Sequence, residues 1–292
     1  VFFINYLISI LRRCKINTLH KIGDFLGTIV YYSSSSRRRV ARKNLRIALN
    51  NELDEKLVKE SFKNSFKSIM EIFFVSNIDE KFIKENMIIE NFDLLLEIKK
   101  QNEPLFLISG HIGSWEFLPI IYSHITNGEI AVVGKTTRSK KLDKIIYDLR
   151  SSNKIHYITH SNAIISIQKY LKRGIPVGAL LDQGGLEKNS FFIDLFGQKT
   201  TFVNGLPIYA AKIKATIIMA FMVRNFDKWK LVLYPPIKID QSLEKLETAK
   251  KLARQINEVY EDIIKKYPEQ WFALNKRFKR VESENGEICS LY

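Results

Sequence analysis

PLFLISGHIGSWEF, residues 104–117, joins a short apolar run to a glycine and then to His111 and Glu116, five positions apart. The run between Pro104 and Gly110 reads as a buried strand, and Trp115, Phe117, Leu118, Ile121 and Tyr122 open a helical periodicity. His111 therefore falls on a strand-to-helix turn. In an open α/β sheet the crevice beyond the carboxyl ends of the strands is where ligands bind, so this imidazole stands where a base can be aimed at a hydroxyl. The spacing alone decides nothing, because His124 and Glu129 repeat it near the end of that helix, beside an Asn127-Gly128 turn. Position along the fold separates the two copies.

Outward from this stretch the same alternation recurs. Apolar runs at 105–109, 130–134, 155–158, 177–181, 217–223 and 230–234 read as strands, with helices at 115–125, 140–151, 163–172 and 205–212. The fold class is α/β: a mainly parallel sheet flanked by helices, its last two strands close enough across 225–227 for an antiparallel hairpin. Upstream, Ser33 to Ser36 can cap a basic helix over 37–49, and Asp54 caps a longer one. In the latter Leu57, Val58, Phe62, Phe66, Ile69, Met70, Phe73 and Phe74 form a stripe that reads first as core and second as the wall of an acyl-chain groove. A final helix over 243–266 precedes a basic segment containing Lys276, Arg277, Lys279 and Arg280.

The strand ends collect polar residues. Strand 177–181 delivers Asp182 and Gln183 into a loop with Gly184 and Gly185. Strand 130–134 is followed by Lys135 and Arg138, and strand 217–223 ends at Arg224. Each alone reads as a surface charge or cap; together they describe a site for an anionic substrate.

The 292 residues contain no Pro/Gly/Ser-rich linker, and 46% hydrophobic content is enough for a large core. The reading is a membrane-associating segment over 1–50 and a single catalytic domain over 51–292. Of the net charge of +15, the first fifty residues hold ten Lys or Arg against one acid, Asp24. That block suits an anionic bilayer surface. No zinc spacing and no RNP-like aromatic strand points to nucleic acid. Cys14 and Cys289 lie near opposite ends without metal or redox spacing, and the default compartment is a reducing one. The opening VFFINYLISIL spans ~16 Å as a helix against a hydrocarbon core of ~30 Å. With a second apolar patch at 22–32, interrupted by Gly23, Asp24 and Gly27, it reads as a hairpin that dips into the bilayer, the arginines on the cytoplasmic side.

Arg37-Arg38-Arg39 with Asn44-Leu45, GHIGSWE, Leu181-Asp182-Gln183, FFIDLFGQKTTFVNGLPIYAAK and Tyr267-Pro268-Glu269-Gln270-Trp271-Phe272 with Lys276-Arg277-Phe278-Lys279 resemble, in order, the bacterial lipid A biosynthesis acyltransferases of the late lauroyl/myristoyl type. The resemblance runs from about Gly23 to Arg280. It implies a glycerolipid-acyltransferase-like fold and an enzyme at the cytoplasmic face of the bacterial inner membrane. That enzyme moves a fatty acyl group from an acyl carrier protein thioester to a hydroxyl of a lipid A precursor. Ser114 stands where most members carry asparagine, Lys135 where many carry arginine, and Asn275 in place of a frequent histidine.

On this reading neutral His111 takes the hydroxyl proton as general base, and Glu116 holds its other ring nitrogen. The resemblance places Asp182 close to the same histidine and makes Lys135 and Arg150 a pair for phosphate or developing charge. Gln183 and Arg224 join the substrate site, and backbone N–H groups around Gly113 serve as oxyanion donors. No metal or cofactor is expected, since a thioester is already activated. The rivals are an acyltransferase with a phospholipid or glycolipid acceptor, weakened by the lack of a Gly-Thr-Arg-Ser-type phosphate motif, and a non-catalytic lipid-binding protein.

Overall fold

The structure is a computed structural model that describes residues 2–91, 93–100, 103–134, 139–151, 154–159, 163–240 and 242–292. Its strands are β1 (Met87–Ile89), β2 (Leu105–Ser109), β3 (Ile130–Gly134), β4 (Ile155–Thr159), β5 (Val177–Leu180), β6 (Ser190–Leu195), β7 (Gln198–Val203), β8 (Thr216–Asn225), β9 (Lys228–Leu233), β10 (Val281–Glu282) and β11 (Ile288–Cys289). Seven form one sheet in the order β1-β9-β8-β2-β5-β3-β4, parallel except at the β8/β9 hairpin. Central β8 is buried along its first eight residues, which is why it reads as unbroken apolar sequence rather than an alternation. Phe106, Ile108, Ile217, Met219 and Phe221, all fully buried, carry the core across β2 and β8.

The helices are α1 (Phe2–Arg13), α2 (Ile16–Ser33), α3 (Ser35–Ala48), α4 (Glu55–Met70), α5 (Glu80–Asn86), α6 (Asp93–Lys100), α7 (Leu118–Thr126), α8 (Lys140–Arg150), α9 (Ala163–Lys172), α10 (Gly205–Ile213) and α11 (Lys245–Lys266). Between Ser114 and α7 the chain first makes a 3-10 turn, Trp115–Phe117, so the expected helix starts later than its periodicity. Pro119 in the first turn suits this entry. The predicted caps form: the Ser34 and Asp54 side chains accept from the backbone N–H of Arg37 and Lys56.

A second sheet, β11-β10-β7-β6, lies outside the expected alternation. Its β6/β7 hairpin turns at Phe196 and Gly197, both with positive φ, as a tight two-residue hairpin requires.

In the N-terminal segment α2 packs face to face on α4. A Cβ at Gly23 would stand 2.7 Å from Lys67 N, and one at Gly27 2.7 Å from Lys63 Cα, so these glycines set the distance between the helices. Most of the stripe along α4 is core: Val58 and Phe62 of α4 are fully buried, Met70 and, just beyond the helix, Phe74 nearly so, while Ile69 is exposed. The acyl-groove reading of that stripe is not what the structure shows, because the large cavity lies elsewhere. On the outer side Tyr6, Leu7 and Ile10 of α1 and Phe25, Leu26, Ile29 and Tyr32 of α2 remain exposed. No helix among the described residues is long and apolar enough to cross a membrane. Several bases of α3 have internal partners: Arg37 donates to Leu274 O, Arg38 to Tyr31 O and Tyr32 O, and Arg42 grips Glu55.

Candidate active site

β2 and β5 are parallel neighbours, so the residues after their carboxyl ends meet. Ser109 O accepts from Leu181 N at 3.1 Å and from the Tyr260 hydroxyl at 2.6 Å, which fastens one strand end to the other and both to α11. His111 follows the first strand and Asp182 the second. His111 Nδ1 lies 2.8 Å from Asp182 Oδ1, with the Gln183 amide 3.3 Å from the same nitrogen. The short contact to a carboxylate puts the proton on Nδ1 and leaves Nε2 as the acceptor.

Glu116 is not the partner that the five-residue spacing suggested. The 3-10 turn carries it toward Arg150, whose Nε donates to Oε2 at 2.7 Å and whose Nη2 grips Oε1; Trp115 Nε1 adds a third bond at 3.1 Å. Arg150 Nη1 donates to the Tyr157 hydroxyl at 3.1 Å. The guanidinium expected to hold phosphate is therefore engaged by a carboxylate on its strongest edge. Lys135, its expected partner, lies outside the described residues, as does Arg138.

Two further expectations are corrected. The N–H of Gly113 donates to Gln270 O at 3.0 Å and that of Ser114 to Met222 O at 2.6 Å, so neither is left for an oxyanion. Gly113 has φ +61°, and a Cβ there would sit 2.2 Å from Met222 O; the glycine serves close backbone packing. Arg224 lies outside the cavity wall, in a buried polar cluster. Its Nη1 donates to Glu71 Oε1 at 3.0 Å and its Nη2 to Ser68 Oγ at 3.0 Å. Ser114 Oγ donates to the same Glu71 oxygen and accepts from Trp229 Nε1, while His20 Nε2 reaches Glu71 at 2.8 Å. Ser68 Oγ also donates to Gly113 O at 2.6 Å, and Phe272 N to His111 O at 2.8 Å. The turn that carries His111 is thus held from α4, from β8 and from the 267–272 motif.

Burial alone would push the His111 imidazole down, but the charge and hydrogen bond of Asp182, with the nearby charge of Glu116, hold its pKa above the ordinary value. Burial would raise Asp182; the His111 charge and hydrogen bond, with Arg277 beyond, hold it below the usual carboxylate range. Burial would also raise Glu71, and the Arg224 charge and the His20 bond hold it down.

His111, Trp115, Glu116, Arg150 and Gln183 border a cavity of about 1310 Å³ whose remaining wall is mostly apolar, with Ile108, Ile121, Val132 and Leu180 among its residues. Ligand pockets usually hold ~300–1,000 Å³. Val132 and Gly178, a pair of the short β3/β5 ladder, both border the cavity. Ile164, Ile165 and Leu186, exposed apolar residues, belong to its wall.

The model of the bacterial lipid A biosynthesis acyltransferase family matches residues 1–280. The chain belongs to that family. A search of the curated proteins finds no match. Membership makes the chain an acyltransferase, with a lipid A precursor as the implied acceptor. Sequence reasoning missed the second rank of the site, namely Ser68, Glu71, Tyr157, Tyr260 and Gln270. Gln270 had a signal, since it stands inside the quoted 267–272 motif; Glu71 and Ser68 read as ordinary helix residues.

Proposed function

We propose that the protein transfers a fatty acyl group from an acyl carrier protein thioester to a hydroxyl of a lipid A precursor, at the cytoplasmic face of the bacterial inner membrane. The observation that carries this reading is His111, paired with Asp182 at 2.8 Å, on the wall of a large, mostly apolar cavity. A hydroxyl is a poor nucleophile at neutral pH, and Nε2 takes its proton as the oxygen attacks the thioester carbonyl. The tetrahedral adduct collapses by breaking the C–S bond, and the imidazolium returns the proton to the departing thiolate. Asp182 fixes the tautomer and stabilises the imidazolium. The Glu116–Arg150 pair walls the cavity beside the base, and the apolar wall accepts the acyl chain. No metal or cofactor takes part in this scheme.

The exposed apolar faces of α1 and α2 supply a surface for an interfacial membrane contact. The test is acyl transfer by purified protein from acyl carrier protein to lipid A precursor, with lipid A from a deletion strain analysed by mass spectrometry. His111→Ala should retain its fold and lose ~10²–10⁴ in rate. Full activity in that variant, or a deletion strain with intact lipid A and altered phospholipids, would move the assignment to one of the rival readings.

A further inference from the structure

A small polar chamber of about 180 Å³ adjoins the site on the side of Asp182. Its wall includes Asp182, Gln183, Gly184, Asn275, Lys276 and Arg277, and Gln183 borders the large apolar cavity as well. His111, bonded to Asp182 and 3.3 Å from the Gln183 amide, thus stands between an apolar space and a cationic one.

Arg277 is 4% exposed. Its Nη1 is tied down, donating to Thr201 O at 3.1 Å and Thr200 Oγ1 at 3.3 Å. Its Nε and Nη2 have no partner among the described residues. Those two N–H groups share one edge of the guanidinium and form a fork matched to two oxygens of a carboxylate or phosphate. Elsewhere this molecule uses the same fork on carboxylates: Arg42 on Glu55 at 2.9 and 2.8 Å, and Arg150 on Glu116. Arg277 has the fork without a protein acceptor, and a buried charged donor pair left so is costly. Burial lowers its pKa to about 10, which leaves it charged at neutral pH. Gly184 packs on the anchored edge of Arg277: a Cβ there would meet Thr201 Oγ1 at 2.8 Å and Arg277 Nη1 at 3.3 Å, so a side chain would displace the contacts that hold the guanidinium. Lys276, exposed, brings a second cation. Asp182 also faces the chamber, with its Oδ1 engaged by His111 Nδ1 at 2.8 Å.

We propose that this chamber is an oxyanion subsite in which the Arg277 fork, with Lys276, takes a phosphate monoester of the acceptor. A tetrahedral phosphate presents two oxygens to the fork and another to the ammonium, and its double charge balances the two cations. The inference rests on the acyl-transfer reading in one respect: the bound phosphate would register the acceptor hydroxyl against His111 Nε2. The chemistry is shared by a phosphorylated head group and by free phosphate, and the test separates them.

In the full chain, inorganic phosphate is titrated and followed by ³¹P line broadening in wild type, Lys276→Gln, Arg277→Lys and Gly184→Ala. Wild type should bind, Lys276→Gln at least tenfold more weakly, and Arg277→Lys and Gly184→Ala more weakly still. Lys276→Gln, at an exposed position, keeps the test valid if the buried variants fold poorly. Phosphorylated and dephosphorylated forms of one acceptor are then compared in acyl transfer. Wild type should favour the phosphorylated form at least tenfold in kcat/KM, through KM, and Lys276→Gln should narrow that ratio. Equal phosphate affinity in wild type and Lys276→Gln, or no binding in wild type, would overturn the subsite. Phosphate binding with no preference between acceptors would overturn the head-group assignment and leave free phosphate as the ligand. Phosphate binding without any acyl transfer in wild type would instead refute the enzymatic reading and spare the subsite.

Discussion

Asp182→Asn asks which carboxylate governs the base. The change keeps shape and removes one charge from a buried hydrogen bond of 2.8 Å to His111 Nδ1. A hydrogen bond to a charged group is worth ~1.5–3 kcal/mol. One pKa unit corresponds to ~1.36 kcal/mol, so the His111 pKa should fall by roughly one to two units. The sign follows from the direction of the native shift. Asp182 holds the imidazole above its ordinary value, so wild-type kcat/KM falls as pH drops through a value above ~6.5. In Asp182→Asn that acid limb moves to lower pH. Activity at its plateau should still drop ~10²–10⁴-fold, because the Asn amide can donate to Nδ1 and strand the proton on Nε2, the nitrogen that must accept.

Glu116→Gln should move the limb in the same direction but less, since Glu116 acts on the imidazole through charge and its hydrogen bonds go to Arg150 and Trp115. Steady-state transfer between about pH 5 and 9 on both variants measures this. If Glu116→Gln displaced the limb further than Asp182→Asn, or Asp182→Asn kept wild-type activity and limb, the assignment of Asp182 as the partner would fall. The same pairing makes a stability statement: the contribution of protonated His111 is present at low pH and is lost as pH rises through its raised pKa.

Three other outcomes are expected. Glu71→Gln leaves Arg224 buried without its counter-charge and should cost ~3–5 kcal/mol, a Tm lower by roughly 5–15 °C in a thermal scan; because Glu71 is held below its ordinary pKa, wild type should lose this stabilisation only as pH falls into the acid range. Gly113→Ala should give little folded protein in expression trials, because a Cβ at φ +61° and 2.2 Å from Met222 O cannot be accommodated without moving β8; a soluble, active variant would contradict the packing described for the turn. Each methylene of the acyl donor buried in the cavity should add ~0.8 kcal/mol, so kcat/KM should climb roughly fourfold per carbon across a donor series until the cavity is filled, and a flat series would show that the chain lies elsewhere.

The sequence revealed most where local chemistry and burial agree. The apolar run at 105–109 is β2 because it is flanked by β5 on one side and β8 on the other and most of its side chains are buried. The hairpin at 190–203 goes unread, although Phe196-Gly197 lies between two short runs rich in β-branched and aromatic residues; it interrupts the βα rhythm, and its Ile193, Leu195 and Phe202 are buried in the core from a second sheet. What local pattern cannot contain is strand order. Nothing in residues 104–117 says that β5 rather than β3 is the neighbour of β2, and that order is what puts Asp182 beside His111 and frees Glu116 for Arg150. The same limit explains Arg224 and Gly113. Both stand at strand or turn ends, where the crevice rule expects function, yet their partners Glu71 and Met222 come from distant segments and convert them into supports. Arg277 is the converse. It reads as one base in a solvated basic run, and only the burial of its guanidinium behind Asp182, with Nη1 anchored and the fork unmatched, gives it chemistry. Charge in a sequence marks where cations are; which of them a ligand can reach is decided by the carboxylates that the fold brings to the others.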